Sequence, residues 1–220
     1  MAFKTYNVQI NGLTPLLMHA DNIDWAGPID AWRRDPGNKA LQVAGDDRSP
    51  PFTWISYLYV EDGKVVIPSD NLMTVLREGG AQISFKGKKT FKAQTQSGLI
   101  IDQSSWPLVV NGKEIPYSEI EPLVGEPSFK AHEDKAKSLG FALFTKRAKI
   151  GSSKHVRVRP RFDNWSCSGT ITVLDQTITS TVLEQILKFA GAYSGLCDWR
   201  PSSKTPGRFG RFDVQIKPLE

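Results

Sequence analysis

The sequence predicts an α+β fold from three observations. Several short segments alternate apolar and polar residues with the two-residue period of half-buried strands. Two segments carry apolar residues at helical spacing and run up to glycine. Long stretches between them follow neither pattern. The chain has 220 residues, 40% hydrophobic and 23% charged, a balance that supports a real core. That length predicts a single domain over 1–220, with insertions at about 20–54 and 104–150.

Taken in order, residues 4–13 place Tyr6, Val8 and Ile10 on one face and Asn7, Gln9 and Asn11 on the other, a half-buried strand that Gly12 ends. Leu13–His19 is apolar but contains Pro15, so it reads as a strand exit or edge. Residues 20–54 hold scattered Gly and Pro with Trp25, Trp32 and Trp54, and Pro50-Pro51 is a breaker. This stretch is too long for a simple connection and reads as an insertion, with a short helix near Ile29–Arg34. Trp54–Val60 alternates like a strand, and Lys64–Pro68 is a second short one. Ser69 or Asp70 then caps a helix with Leu72, Val75 and Leu76 on one side, stopped by Gly79-Gly80. Ser97–Asp102 is strand-like, and Leu108–Ile115 is a hairpin turning at Asn111-Gly112. Residues 117–140 give no clear order.

Gly140–Thr145 and His155–Phe162 predict strands. The second puts Arg157, Arg159 and Arg161 on one face and Val156 and Val158 on the other. Ser168–Leu174 is another strand, with Ile171 and Val173 inward. Thr181–Glu184 has the form of a capping box. The helix it starts carries a stripe from Val182 through Tyr193, and Gly195 is its C-cap. Phe212, Val214 and Ile216 alternate in a last strand. With the insertions set aside, the order is β-α-β-β-α-β, the split unit of ferredoxin-like and RNA-recognition-type folds. Two helices would cover one sheet face and leave the other for a ligand.

The net charge is +5, and its distribution matters more than its size. Lys146, Arg147, Lys149, Lys154, Arg157, Arg159 and Arg161 lie in one acid-free run. Lys86, Lys88, Lys89 and Lys92 form a second, and Arg200, Lys204, Arg208 and Arg211 a third. These hold 15 of the 28 Lys and Arg, so the remainder of the chain, with all 23 acids, is net acidic. If the three converge they make a groove for a polyanion; otherwise they are solvated loops. The third run lies in Gly195–Phe212, where three glycines, Gly195 among them, and the rings of Trp199, Phe209 and Phe212 sit among the cations. Arg at alternate strand positions suits successive phosphates, and Phe85, Phe91, Trp199, Phe209 and Phe212 are rings beside cations that either stack bases or fill core.

Enzyme patterns are thin. His19, His132 and His155 show no zinc-pair spacing, and no phosphate loop, nucleophile elbow or dinucleotide fingerprint occurs, so no metal or cofactor is expected. His19 with Asp21 and Asp24 reads as a polar loop leaving a strand, with acid–base or metal chemistry as the alternative. His155 reads as a nucleic-acid contact. Cys167 and Cys197 make neither a disulfide framework nor a metal spacing. No apolar run reaches membrane length, and Met1–Tyr6 reads into a strand rather than a signal peptide, so a cytoplasmic location is expected.

Three motifs carry a resemblance. They are Leu13–His19 after the first strand, Val66-Ile67-Pro68-Ser69-Asp70-Asn71-Leu72-Met73-Thr74-Val75-Leu76-Arg77, and Gly207-Arg208-Phe209-Gly210-Arg211-Phe212. In order and position they resemble the RAMP superfamily of CRISPR-associated RNA-binding proteins, especially the backbone subunits that coat guide RNA. Ser69 and Thr74 stand where that family usually has Gly. The resemblance implies a modified RNA-recognition fold whose insertions clasp neighbours and guide. It also implies a helical homo-oligomer along a single RNA strand, with other effector-complex subunits and target DNA or RNA as further partners and no membrane. The residues expected at phosphates or bases are Lys154, His155, Arg157, Arg159, Arg161, Arg200, Lys204, Arg208, Phe209 and Arg211, with Lys86, Lys88, Lys89 and Lys92 on a loop. No catalytic residue is carried over. An endoribonuclease of the same superfamily, using Asp21, Asp24 or His19, is one alternative. A phage-type single-stranded DNA-binding or annealing protein is another, and a structural protein without nucleic acid a third.

Overall fold

A computed structural model describes residues 3–150 and 153–219; the side chains of residues 149, 150, 153 and 154 lie outside that description. The strands are β1 (Lys4–Gly12), β2 (Leu16–Leu17), β3 (Val60–Glu61), β4 (Lys64–Pro68), β5 (Leu99–Ile101), β6 (Ser105–Pro107), β7 (Val109–Val110), β8 (Lys113–Glu114), β9 (Ala142–Ile150), β10 (Ser153–Phe162), β11 (Trp165–Val173) and β12 (Phe212–Pro218). The helices are α1 (Ala26–Arg34), α2 (Ser69–Gly80), α3 (Lys92–Gly98), α4 (Phe129–Ser138) and α5 (Ser180–Phe189). The class is α+β, with antiparallel sheets. The chain divides into two compact units, one of Met1–Leu17, Val66–Glu114 and Asp163–Glu220, the other of Met18–Val65 and Ile115–Phe162. The two segments expected as insertions fall largely in the second unit.

In the first unit the sheet runs β12-β1-β11-β7-β8, and β5 also pairs with β11. Tyr6, Val8 and Ile10 of β1 oppose Ile171, Gly169 and Cys167 of β11, so one face is continuously apolar. That face is buried, as are Phe212 and Val214 of β12. Helices α2 and α5 carry the rest of this core through Leu72, Val75, Leu76, Leu183, Ile186 and Leu187, each burial worth roughly 1.5–3 kcal/mol. On the opposite face Asn7, Asn11, Ser168, Asp213, Gln215 and Lys217 are exposed. The predicted hairpin at Asn111-Gly112 is present as β7 and β8.

Two expected helix boundaries move. The cap of α5 is Thr179, whose hydroxyl accepts from the Val182 amide at 3.3 Å, so the Thr181–Glu184 box lies inside the helix. Thr179 is the hydroxyl residue at which the backbone is still extended. The N-cap of α2 is Pro68, without a side-chain bond, and Ser69 and Asp70 sit in its first turn. Gly79 and Gly80 are the last two residues of α2, which ends where the sequence predicts. A Cβ on Gly79 would stand 2.3 Å from the Ile186 carbonyl oxygen, so glycine there lets α2 and α5 approach. An unforeseen helix, α3, starts at Lys92 where the Lys-rich stretch ends; it runs to Gly98 and shortens the expected strand to Leu99–Ile101.

The second unit is built on the long β9–β10 pair. The strand expected at Trp54–Val60 is instead a 3-10 helix over Thr53–Tyr57. Phe52 through Ser56 are all buried, so both faces are inside and the alternation is only apparent. The hydroxyls of Thr53 and Ser56 donate back to the Pro50 and Thr53 carbonyls at 2.7 and 2.6 Å, closing the turn. The unordered region contains α4, capped by Ser128. From it His132 reaches the core, where Nδ1 accepts from the Trp54 indole at 3.0 Å and Nε2 lies 2.9 Å from the Glu126 carbonyl oxygen. The short helix expected near Ile29–Arg34 is present as the longer α1, with no buried residue. Among the described residues no helix is long and apolar enough to cross a membrane.

Candidate nucleic-acid interface

Strands β9 and β10 pair residue for residue from Ala142↔Arg161 to Ile150↔Ser153. Paired residues of antiparallel strands share a face. One face therefore holds Arg157 opposite Lys146, Arg159 opposite Phe144, His155 opposite Ala148, and Arg161 opposite Ala142. Val158, Pro160 and Phe162 point the other way and are buried, as the alternation requires. His155, Arg157, Arg159 and Arg161 are half-buried, while Lys146 and Arg147 are exposed. The Lys154 side chain lies outside the described residues.

A buried carboxylate orients this face. Asp47 is 7% exposed at its side chain and accepts from the Arg157 guanidinium at 2.9 Å, the Val158 amide at 3.1 Å and the Tyr57 hydroxyl at 3.1 Å. Burial, and then the charge of Asp47, push the Tyr57 hydroxyl up to about 12, so it stays a donor. The 45–47 backbone is tied to β10 through Val156 N–H to Gly45 and Asp47 N–H to Val156, at 2.8 and 2.9 Å. A carboxylate 110 residues distant in an irregular stretch leaves no periodic trace. Its neighbour Asp46 binds Arg48, and that hydrogen bond, against burial, holds the Asp46 carboxyl below its ordinary value.

The Gly195–Phe212 loop lies in the first unit and is held by backbone bonds within itself and to the segment that follows β1. Leu196 N–H donates to Gly210, Gly210 N–H to Pro15, and Asp198 N–H to Leu17, at 2.8, 2.8 and 3.0 Å. Cys197 and Trp199 adopt left-handed φ of 60° and 47°, strain the surrounding bonds sustain. A Cβ on Gly210 would stand 2.0 Å from the Leu196 carbonyl oxygen, and one on Gly207 1.8 Å from that of Trp199. Protein backbone thus occupies the space beside both glycines.

The cations of this loop divide. Arg200 makes a two-pronged pair with Glu78 at 2.6 and 3.0 Å, and the Arg211 guanidinium donates to the Ala192 carbonyl. Phe209 is 2% exposed and packs on Trp199, so its ring is core rather than a stacking surface. Phe91 and Phe212 are buried as well. Lys204 and Arg208 are exposed, Arg208 lying 5.8 Å from the Phe209 ring. Lys86, Lys88 and Lys89 are exposed on a tight turn closed by Phe85 N–H to Lys89 at 2.9 Å. The second and third basic runs belong to the first unit and the hairpin run to the second.

His19 is exposed, its ring edge-on to Tyr57 at 4.4 Å, and Asp21 and Asp24 are exposed in the segment that follows. No group of His, Cys, Asp and Glu able to hold a metal occurs among the described residues. Cys167 is buried, and burial pushes its thiol up; the Cys197 thiol is pushed up to about 12, chiefly by burial, so neither is primed as a nucleophile. No protein-family model matches the chain, and no curated protein matches it.

Proposed function

We propose that this protein binds single-stranded RNA along its phosphate backbone, as a guide-coating subunit of the RAMP type that assembles with copies of itself. The observation that carries the reading is the β9–β10 face, where Lys146, Arg159 and Arg161 lie around Phe144 with His155 beside them and Arg157 held by Asp47. Arg157, Arg159 and Arg161 recur every second residue along β10, a repeat of about 6.6–6.8 Å, and the last two extend beyond the Asp47 pair. Such a row meets a polyanion through several charge-assisted contacts at once and reads no sequence. Phe144 adds a ring on which a base can stack.

The strand order supports the finer fold assignment. Counting β1, β5, β11 and β12 as first to fourth, the sheet runs fourth, first, third, second, with α2 before β5 and α5 before β12. That is the order of a ferredoxin-like split unit. In this reading the second unit is the elaborated insertion that clasps RNA. The open sheet face offers amides and hydroxyls at Asn7, Asn11, Ser168 and Gln215, so the hairpin rather than the sheet carries the strand. Lys86, Lys88, Lys89, Lys204 and Arg208 add exposed charge in the first unit.

The test is the nucleic acid and mass of the protein purified under low salt. Copurifying RNA in a particle of several subunits is expected. Nucleic-acid-free monomer that also fails to shift added single-stranded RNA would overturn the reading. Binding of single-stranded DNA as tightly as RNA would replace it with a DNA-binding one.

A further inference from the structure

We infer that a groove in the first unit, between the end of α2, the exposed side of α3 and the turn that follows α5, is a binding site for a nucleoside phosphate. Its volume is about 500 Å³, within the range of small-molecule sites. Arg77 and Gln82 line it from α2 and the turn after it, Lys92 and Gln96 from α3, and Tyr193 and Ser202 from the segment after α5. Lys92 and Gln96 are four apart and lie on one helix face.

Three features define the ligand. The first is a planar platform. Tyr193 is 63% exposed, and its ring lies 24° from that of Phe189 with centroids 5.4 Å apart. A ring steadied on one side by another aromatic is a stacking surface for a base. The second is positive charge. Arg77 and Lys92 are exposed at the groove, whereas the one acid lining it, Glu78, is matched by Arg200 at 2.6 Å and by the Ser202 hydroxyl at 2.8 Å. The third is the pair of carboxamides, Gln82 and Gln96, which offer both donors and acceptors to ring nitrogens and exocyclic groups. A ring, an anion and a hydrogen-bonding edge together describe a nucleotide better than a lone phosphate or an apolar ligand.

The backbone supports this placement. Residues Ala190–Ser194 form a π-helical turn continuing α5, a device frequent at functional sites. It sets the Tyr193 ring and Ser194 at the groove. None of the hairpin residues takes part, so the site stands or falls apart from the RNA reading.

The test is titration calorimetry with adenosine 5′-monophosphate, adenosine and inorganic phosphate, alongside short RNA with and without a 5′-phosphate. The monophosphate is expected to bind, with adenosine and phosphate each weaker by about tenfold or more. Tyr193→Ala and Lys92→Ala should each weaken binding by about fivefold or more, while Tyr193→Phe retains it. Both positions are exposed, and circular dichroism checks that the variants fold. A gain in RNA affinity from the 5′-phosphate that is lost in Tyr193→Ala assigns the site to a strand end, and RNA binding unaffected by the 5′-phosphate assigns it to a free nucleotide. Absence of millimolar binding by both probes, or binding unchanged in Tyr193→Ala and Lys92→Ala, would overturn the inference.

Discussion

Asp47 and His132 set the residue scale. Asp47 accepts three hydrogen bonds and matches the charge of Arg157. Asp47→Ala leaves that guanidinium and the Tyr57 hydroxyl to find water, and should cost about 1–3 kcal/mol, read as a lower urea midpoint. His132 is satisfied only as the neutral tautomer that accepts at Nδ1 and donates from Nε2. Burial, against the Glu126 carbonyl contact, lowers its pKa. Its contribution is therefore intact above the unfolded value of about 6.5 and is lost as pH falls from there toward the lowered folded value. Urea unfolding between pH 5 and 8, about the range His titrates in, should show that decline, and His132→Phe should flatten it. Neither role was legible in the sequence. Trp54 is 78 residues from His132, and each side chain sits in a stretch whose periodicity is broken by 3-10 turns.

Among the elements, those with one wet face were legible. Strands β1, β11 and β12 alternate because water lies on one side and α2 and α5 on the other, and the burial pattern repeats the sequence pattern. The 3-10 helix at Thr53–Tyr57 was misread because both its sides are inside. The glycine-rich loop was legible as a special segment but not in its role. Composition cannot distinguish glycines that admit a ligand from glycines that admit the chain's own backbone. Gly210 has φ of +73° and no room for a Cβ beside Leu196. Gly210→Ala should lower stability by about 1–3 kcal/mol in thermal unfolding, and Arg208→Ala, an exposed position, should change it by less than about 0.5 kcal/mol.

At the scale of the whole molecule, three basic runs stand on an otherwise acidic chain. The hairpin run alone sits in the second unit and lines up its cations by strand register. That alignment was legible, since alternation put Arg157, Arg159 and Arg161 on one face. The pairing that adds Lys146 and Phe144 was not, because register depends on the turn that joins the strands. The central claim is that this face holds the phosphates of single-stranded RNA. Its most direct test is the affinity for a short single-stranded RNA, by fluorescence anisotropy across a salt series, for the wild type and for Lys146→Glu/Arg159→Glu/Arg161→Glu. Each phosphate neutralised contributes a slope of about −0.7 to log affinity against log salt, so three or four contacts give about −2 to −3. The wild type is expected to show that slope, and the variant a shallower slope with affinity at least about tenfold lower. Salt-independent binding, or a folded variant that binds RNA as the wild type does, would contradict the claim.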